Sequence, residues 1–504
     1  MSLFIKKPMS DLMSEGSETD KGLKRTLTSA SLVALGIGAI IGAGLFVRTA
    51  AAAAQNAGPS VTLGFVVAAI GCALAGLCYA ELSSSIPISG SAYTYTYATM
   101  GEFMAWIIGW DLVLEYAVGA ATVGIAWSEY LNNLLVNVLH FNPIPYEWCH
   151  SPFEHSLNGI NGIMNIPAFG IIALLSLLLI KGTKESAFVN GLIVITKVAI
   201  VVLIIILGWG FINTANHTPY IPEPSTYTDH QGISHTYGGI MGILGAAGVV
   251  FFAFIGFDAV STAAQETKNP KKSMPIGILG SLAICTVLYI LFAHVLTGLA
   301  PVEFFRTTGK EASVAQAIET FMPGYSWLGK LVTVAILAGF SSVILVMLLG
   351  QSRVFYSMSR DGLVPKVFSD VHPKFKTPYK ANLIFLIVVG AFAAFIPGDI
   401  VGDMTSIGTL FAFMLVCVAV IILRKTDPDM PRAFKTPLVP FVPILGILVC
   451  GAMIFGLGWT NWLRLGGWLL IGFIIYFSYS QFHSKLRKGK HINPKDPIDP
   501  LNPL

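Results

Sequence analysis

Apolar residues run along this chain in blocks of about 20, the length of a helix that crosses a bilayer. Twelve such blocks are read, near residues 31–51, 61–86, 98–128, 164–181, 187–212, 240–264, 275–300, 327–358, 382–397, 404–424, 438–457 and 464–482. Polar connections separate them. The segment from Leu131 to Asn165 carries Pro143, Pro145 and Pro152, and the segment from Thr214 to Tyr237 holds no Lys or Arg. Both ends, Met1 to Lys24 and Ser484 to Leu504, are polar and are expected to be disordered. Two blocks depart from the pattern. The first contains GIGAIIGAGLF, with glycine at 36, 38, 42 and 44, and predicts a broken helix. The sixth contains FFAFIGFDAV, with Gly248 upstream and Asp258 inside the apolar run. Five blocks from 31–212 and five from 240–424, each opening on an interrupted helix, predict an inverted repeat whose breaks meet at the membrane midplane. Two additional helices follow in 438–482, and the segments 1–30 and 483–504 are read as cytoplasmic. The expectation is an all-α polytopic membrane protein of 12 transmembrane helices.

Composition agrees, since 54% of the 504 residues are hydrophobic, 12% are charged and the mean hydropathy is +0.71. With both termini inside, 25 of the 31 basic residues fall on inner connections, and only Arg48, Arg306, Lys310, Lys330 and Arg464 fall outside. The net charge of +4 therefore reports orientation and gives no sign of a nucleic-acid partner. Ala50 to Ala54 imitates a signal-peptide cleavage site, but a long polar segment precedes the first block and eleven blocks follow it. Only Cys149 of the 6 cysteines lies in an outer loop, so no disulfide framework is implied. A multi-pass protein of the cell (plasma) membrane is expected.

The glycine run admits two readings. Gly38 and Gly42 form a GxxxG pair that would let another helix pack closely; alternatively the helix unwinds there, which lipid tolerates only where protein or a polar cavity satisfies the backbone. A dinucleotide loop is excluded by the GxGxxxG spacing without a preceding strand. Lys197 lies in the middle of the fifth block, where an ammonium costs roughly 2.5–3.5 kcal/mol on insertion scales and so marks function. A desolvated lysine can exchange protons near neutrality. Asp258, Glu115 and Asp111 are buried acids whose readings stay open between a functional role and a hydrogen bond to a neighbouring helix. Glu81 reads as a partner of the basic inner loops.

GIGAIIGAGLF, YAELSSSIPISGSAYTYTYATMGE (Tyr79 to Glu102), FFAFIGFDAVSTAAQETKNPKKSMPIGI (Phe251 to Ile278) and GQSRVFYSMSRDGLVP (Gly350 to Pro365) resemble the amino acid–polyamine–organocation superfamily. The similarity is greatest to bacterial homologues of the cationic amino acid transporters. The resemblance implies a leucine-transporter-type fold of five-plus-five helices. It implies that the N–H groups of Gly42, Ala43 and Gly44 receive a substrate carboxylate. The carbonyls of Ile40, Phe252, Ala253 and Ile255 would face the α-ammonium, and the Phe252 ring would gate the site. Sodium-coupled relatives of the fold house a sodium ion where Lys197 stands, so proton coupling through Lys197, with Asp258 as a relay, is the preferred expectation.

Side-chain recognition is expected from spans three, six and eight. Met347 would shorten the pocket and favour small or medium neutral amino acids, or a broad range. Glu115 could instead touch the substrate amine or pair with arginine or lysine, so a cationic transporter or an exchanger is the alternative. A channel and a membrane enzyme are the readings from other classes. None of the 10 histidines sits in a catalytic or metal-binding spacing, and His294 is the only one clearly in a span. No enzyme activity, cofactor or metal is expected. The expected partners are an amino acid, a proton and the lipid bilayer; the sequence does not specify an accessory subunit.

Overall fold

The computed structural model describes residues 3–8, 27–86, 91–156, 159–181, 187–229, 232, 234–307, 313–375 and 377–488. The chain enters the bundle through α1 (Ser29–Ile40), capped by the Thr28 hydroxyl on the Ser31 N–H, and stops where Ile41 turns extended. Helix resumes at Gly44 as α2 (residues 44–57), which turns at Gly58 into α3 (Val61–Ser85). A short buried helix, α4 (Ser91–Thr99), precedes α5 (Glu102–Val138), and α6 (Ile166–Lys181) and α7 (Ala187–Gly208) complete the first half.

The second half opens on α8 (Gly239–Val250). It tightens to a 3-10 turn at Phe251–Phe254, breaks at Ile255 and Gly256, and continues as 3-10 turns over Asp258–Glu266. Then come α9 (Pro270–Leu299), α10 (Val302–Thr307), α11 (Ser313–Phe321), α12 (Ser326–Arg360), α13 (Tyr379–Phe395) and α14 (Gly398–Thr426). The last two long elements are α15 (Phe441–Gly456) and α16 (Trp459–His483).

Among the described residues, 8 helical runs are long and apolar enough to cross a membrane, and four shorter apolar helices accompany them: α1, α6, α13 and α15. The fold is mostly helical and polytopic. It is not purely α, because the segment read as an outer loop carries an antiparallel hairpin of β1 (Ser225–Thr228) and β2 (Ser234–Tyr237). Its Ser-Thr-Tyr-Thr and Ser-His-Thr-Tyr runs consist largely of residues that suit a pleated surface.

α9 packs on α1 and α3, α8 on α3, and α12 on α5, which leaves the two interruptions in the middle of the bundle. Exposed apolar side chains such as Leu174, Ile195, Ile206 and Ile387 belt the outside, as a lipid-facing surface requires.

The chain ends differ from the expected disorder where they are described. Residues 3–7 lie against α4 and α5, with backbone bonds from Glu102 to Ile5 (3.0 Å) and from Phe103 to Leu3 (3.2 Å). Lys7 pairs with Asp361 at 2.9 Å, and Tyr93 donates to the same carboxylate at 2.6 Å. From the other end, Arg487 meets Glu102 at 2.6 Å and Ser484 donates to it as well. Composition alone gave no sign of these partners, because they lie far away in the chain. Glu81 takes the structural role expected of it, paired with Arg424 at 2.7 Å and Arg432 at 3.1 Å. All six cysteines are free and buried.

Candidate functional site

Glycine places the two interruptions back to back. A Cβ on Gly44 would overlap the backbone of Ala253, so only glycine lets α2 begin there. Gly256 has a φ of +112°, and a Cβ on it would stand 2.9 Å from the Ala39 carbonyl oxygen. Each break thus passes the other at backbone distance. The GxxxG alternative holds in part, since Gly38 and Gly42 also pack closely, against Val194 and Val343 respectively.

The break leaves oriented backbone groups. Gly44 opens a helix with Ala43 as its N-cap, and although the Leu45 N–H donates to the Gly42 carbonyl at 3.3 Å, Gly42, Ala43 and Gly44 line a partially positive helix end suited to a carboxylate. On the opposite side the carbonyls of Ile40 and Ala253 converge on the hydroxyl of Tyr289 in α9, at 3.0 Å each. The Phe252 carbonyl accepts from the Ile255 N–H at 3.3 Å. The predicted acceptors Ile40 and Ala253 therefore come together across the two breaks. Ile255 and the Phe252 ring are buried beside them.

Tyr289 went unnoticed at the level of sequence. Its signal was available: a lone phenol in the apolar run TVLYILF needs a hydrogen-bond partner inside the bundle.

Lys197 is buried, 5% exposed. Its ammonium donates to the Gly38 carbonyl at 3.1 Å, two residues before the end of α1. Gly339 in α12 makes room for its stem, since a Cβ there would lie 2.9 Å from Lys197 Cε. The lysine thus ties α7 to the interrupted helix.

Glu115 lies in a π-helical turn of α5 (Leu114–Val118), a local widening that often marks functional positions. Its carboxyl faces that of Asp258, and Asp258 accepts from Tyr116 at 2.8 Å. Neither carboxylate can donate to the other, so a proton or a water must stand between them. One turn further along α5, Gly119 packs on Met347 of α12; a Cβ on Gly119 would be 3.3 Å from the sulfur. Glu115 and Met347 therefore converge on one stretch of α5. Among the described residues Asp111 has no hydrogen-bond partner for either oxygen. Among the described residues no group of three metal-ligating side chains occurs.

Ion pairs and stacked cations lie to either side of the break. Arg48 of α2 is held by Asp399 at 3.4 Å and by Asp403, both of α14. Arg306 donates to the Ala54 carbonyl at 3.0 Å while stacking over Tyr227 and Tyr237. At the other face lie the Lys7–Asp361 and Arg487–Glu102 pairs. An apolar cavity of about 650 Å³ between α5 and α6, walled by Trp127 and Leu174, contains none of these site residues.

The family model described as amino acid permease matches residues 27–478. The chain is 44% identical to a branched-chain amino acid permease of Bacillus subtilis, over 97% of this chain and 99% of that protein. It is 41% identical to a methylthioribose transporter of the same organism, over 97% of this chain and all of that protein. It is 32% identical to the vacuolar cationic amino acid transporter 4 of Arabidopsis thaliana, over 81% of this chain and 64% of that one. With broken helices, a buried lysine and these similarities together, the chain belongs to the amino acid permeases of the amino acid–polyamine–organocation superfamily.

Proposed function

We propose that this permease is a proton-coupled, sodium-independent secondary transporter that moves L-amino acids across the plasma membrane by alternating access. Its two five-helix repeats would rock about the paired breaks. The observation that carries the reading is the 3.1 Å contact between Lys197 and the Gly38 carbonyl. It supports a titratable charge bonded to the backbone of the helix that opens the substrate site. Losing that proton weakens the bond to a carbonyl, so protonation and the shape of the first helix are linked. Asp258, beside Glu115 and Tyr116, is the second proton-carrying group in this reading. Backbone N–H groups at Gly42, Ala43 and Gly44 hold the carboxylate, and the carbonyls of Ile40, Phe252, Ala253 and Ile255 hold the ammonium with Phe252 closing over it.

Met347 against Gly119 supports a short pocket and hence neutral side chains, in keeping with a relative named for branched-chain amino acids. Glu115 favours a second reading, cationic substrates, in keeping with the relatives named cationic amino acid transporters. The test is a substrate panel with purified protein in liposomes at two pH values, including leucine, alanine, arginine, lysine and methylthioribose. Uptake of leucine and alanine above arginine supports the first reading. Preference for arginine selects the second, and uptake of methylthioribose alone contradicts both.

A further inference from the structure

Asp111 takes no part in the paired breaks or in the Lys197 contact. It lies in α5, is 1% exposed, and neither carboxylate oxygen has a hydrogen-bond partner among the described residues. An acid inside a membrane helix is expensive and is kept where it pairs or carries charge. Its position is specific. It stands four residues before Glu115, on the same helical face and about 6 Å along the axis, and the two carboxyls interact electrostatically. Gly408 of α14 faces it: a Cβ there would lie 3.2 Å from Asp111 Oδ1 and still closer to Leu114, so the glycine keeps the carboxylate uncrowded.

Independent elements point unpartnered groups into the same region. The hydroxyl of Tyr79 in α3 is fully buried and has no hydrogen-bond partner among the described residues, and that of Tyr95 in α4 is fully buried beside Ser261. Tyr79 meets Glu115 and Asp258 electrostatically, and Tyr95 meets Asp258. Asp258 Oδ1 and both Glu115 oxygens are also without donors. Buried polar atoms left without protein partners are satisfied by internal water. These groups border one region between α3, α4, α5 and the 3-10 segment at Asp258, a chamber in which water would satisfy them. Along α5 Asp111 lies between Glu115 and Glu102, and both chain ends pack at Glu102. The titratable groups around it are Glu115 from its own helix and, through Glu115, Asp258, Tyr79 and Tyr95 from the neighbouring elements.

We propose that Asp111 is a proton-binding station, taking the proton from the Glu115–Asp258 pair through this chamber and passing it toward the face that carries the chain termini. The proposal rests on the proton-coupled reading above. The proton leaves a carboxylic acid on Glu115 or Asp258, moves along water, and converts the Asp111 carboxylate to the acid; no other bond changes.

The test compares proton-driven accumulation with counterflow, which needs no net proton movement, for the best substrate of the panel. In Asp111→Asn, accumulation falls at least about tenfold while counterflow stays within about threefold of the unsubstituted protein. Tyr79→Phe, which removes an unpartnered hydroxyl but keeps the ring, lowers accumulation in the same selective way. Equal activity of Asp111→Asn and the unsubstituted protein in both assays overturns the proposal and leaves proton coupling standing. Parallel loss of accumulation, counterflow and substrate-induced thermal stabilisation assigns Asp111 a structural role and overturns it too. Absence of proton-driven accumulation in the unsubstituted protein instead refutes the coupling reading, and this proposal with it. Should the Asn variant not fold, Asp111→Glu decides, since its pH profile for uptake must shift, and an unchanged profile is contrary to the proposal.

Discussion

The ammonium of Lys197 on α7 sits 3.1 Å from the carbonyl oxygen of Gly38 on α1, so a single protonatable side chain holds the turn that precedes the broken segment. A hydrogen bond from a charged donor contributes about 1.5–3 kcal/mol, and a conformational equilibrium shifts only by such a differential interaction. Substituting Lys197→Ala is expected to abolish uptake driven by a proton gradient while substrate binding and counterflow persist. Radiolabel uptake with and without an imposed gradient checks it, and pH-dependent uptake that survives the substitution would remove Lys197 from the coupling mechanism.

Tyr289 spans the two interruptions by offering one hydroxyl to the carbonyls of Ile40 and Ala253. In Tyr289→Phe both buried carbonyls lose that donor, a loss of about 1–3 kcal/mol. The expected result is a rise in KM of about 5- to 100-fold with little change in expression. Transport assays and gel filtration together check it.

How the breaks would meet was only partly legible in the sequence. Glycine at 36, 38, 42 and 44 pointed to the first interruption because four glycines weaken a helix in one apolar run, while Gly38 and Gly42 serve close packing as well. Gly256 and Asp258 marked the second, and Lys197 marked itself by its charge. Tyr289, Arg48 with Asp403, and Lys7 with Asp361 were not legible as partners. Each pair joins residues far apart in the chain, and nothing in local periodicity encodes which carboxylate a buried cation will meet. The hairpin at Ser225–Tyr237 was lost for a different reason: its strands are four residues each and too short to stand out against a polar loop.

Gly44→Ala tests the close approach directly. The added methyl would overlap the Ala253 backbone, and overpacking of this kind costs about 1–3 kcal/mol or more. The variant should lose transport and show a lower thermal unfolding midpoint, whereas Gly466→Ala, with open space around its Cβ, should behave as the unsubstituted protein.

Met347→Ser should widen the accepted range toward larger or basic side chains, because the thioether that packs on Gly119 is replaced by a much shorter group. The panel run on this variant checks the expectation; an unchanged ranking would place Met347 outside the side-chain pocket.

Asp361 holds Lys7 and Tyr93 together at the face where the termini pack. Removing one member of a largely buried pair costs up to about 3–5 kcal/mol, so Asp361→Ala should lower the unfolding midpoint. Combination with Lys7→Ala should add much less than the Lys7→Ala effect measured alone. Differential scanning of the two single variants and the double variant measures the coupling.

If amino acid movement is tied to proton movement, purified protein in sodium-free liposomes with an acidic exterior must accumulate labelled substrate transiently above the external concentration, and the accumulation must collapse when a protonophore is added. Simple equilibration that ignores both the gradient and the protonophore would contradict the coupling.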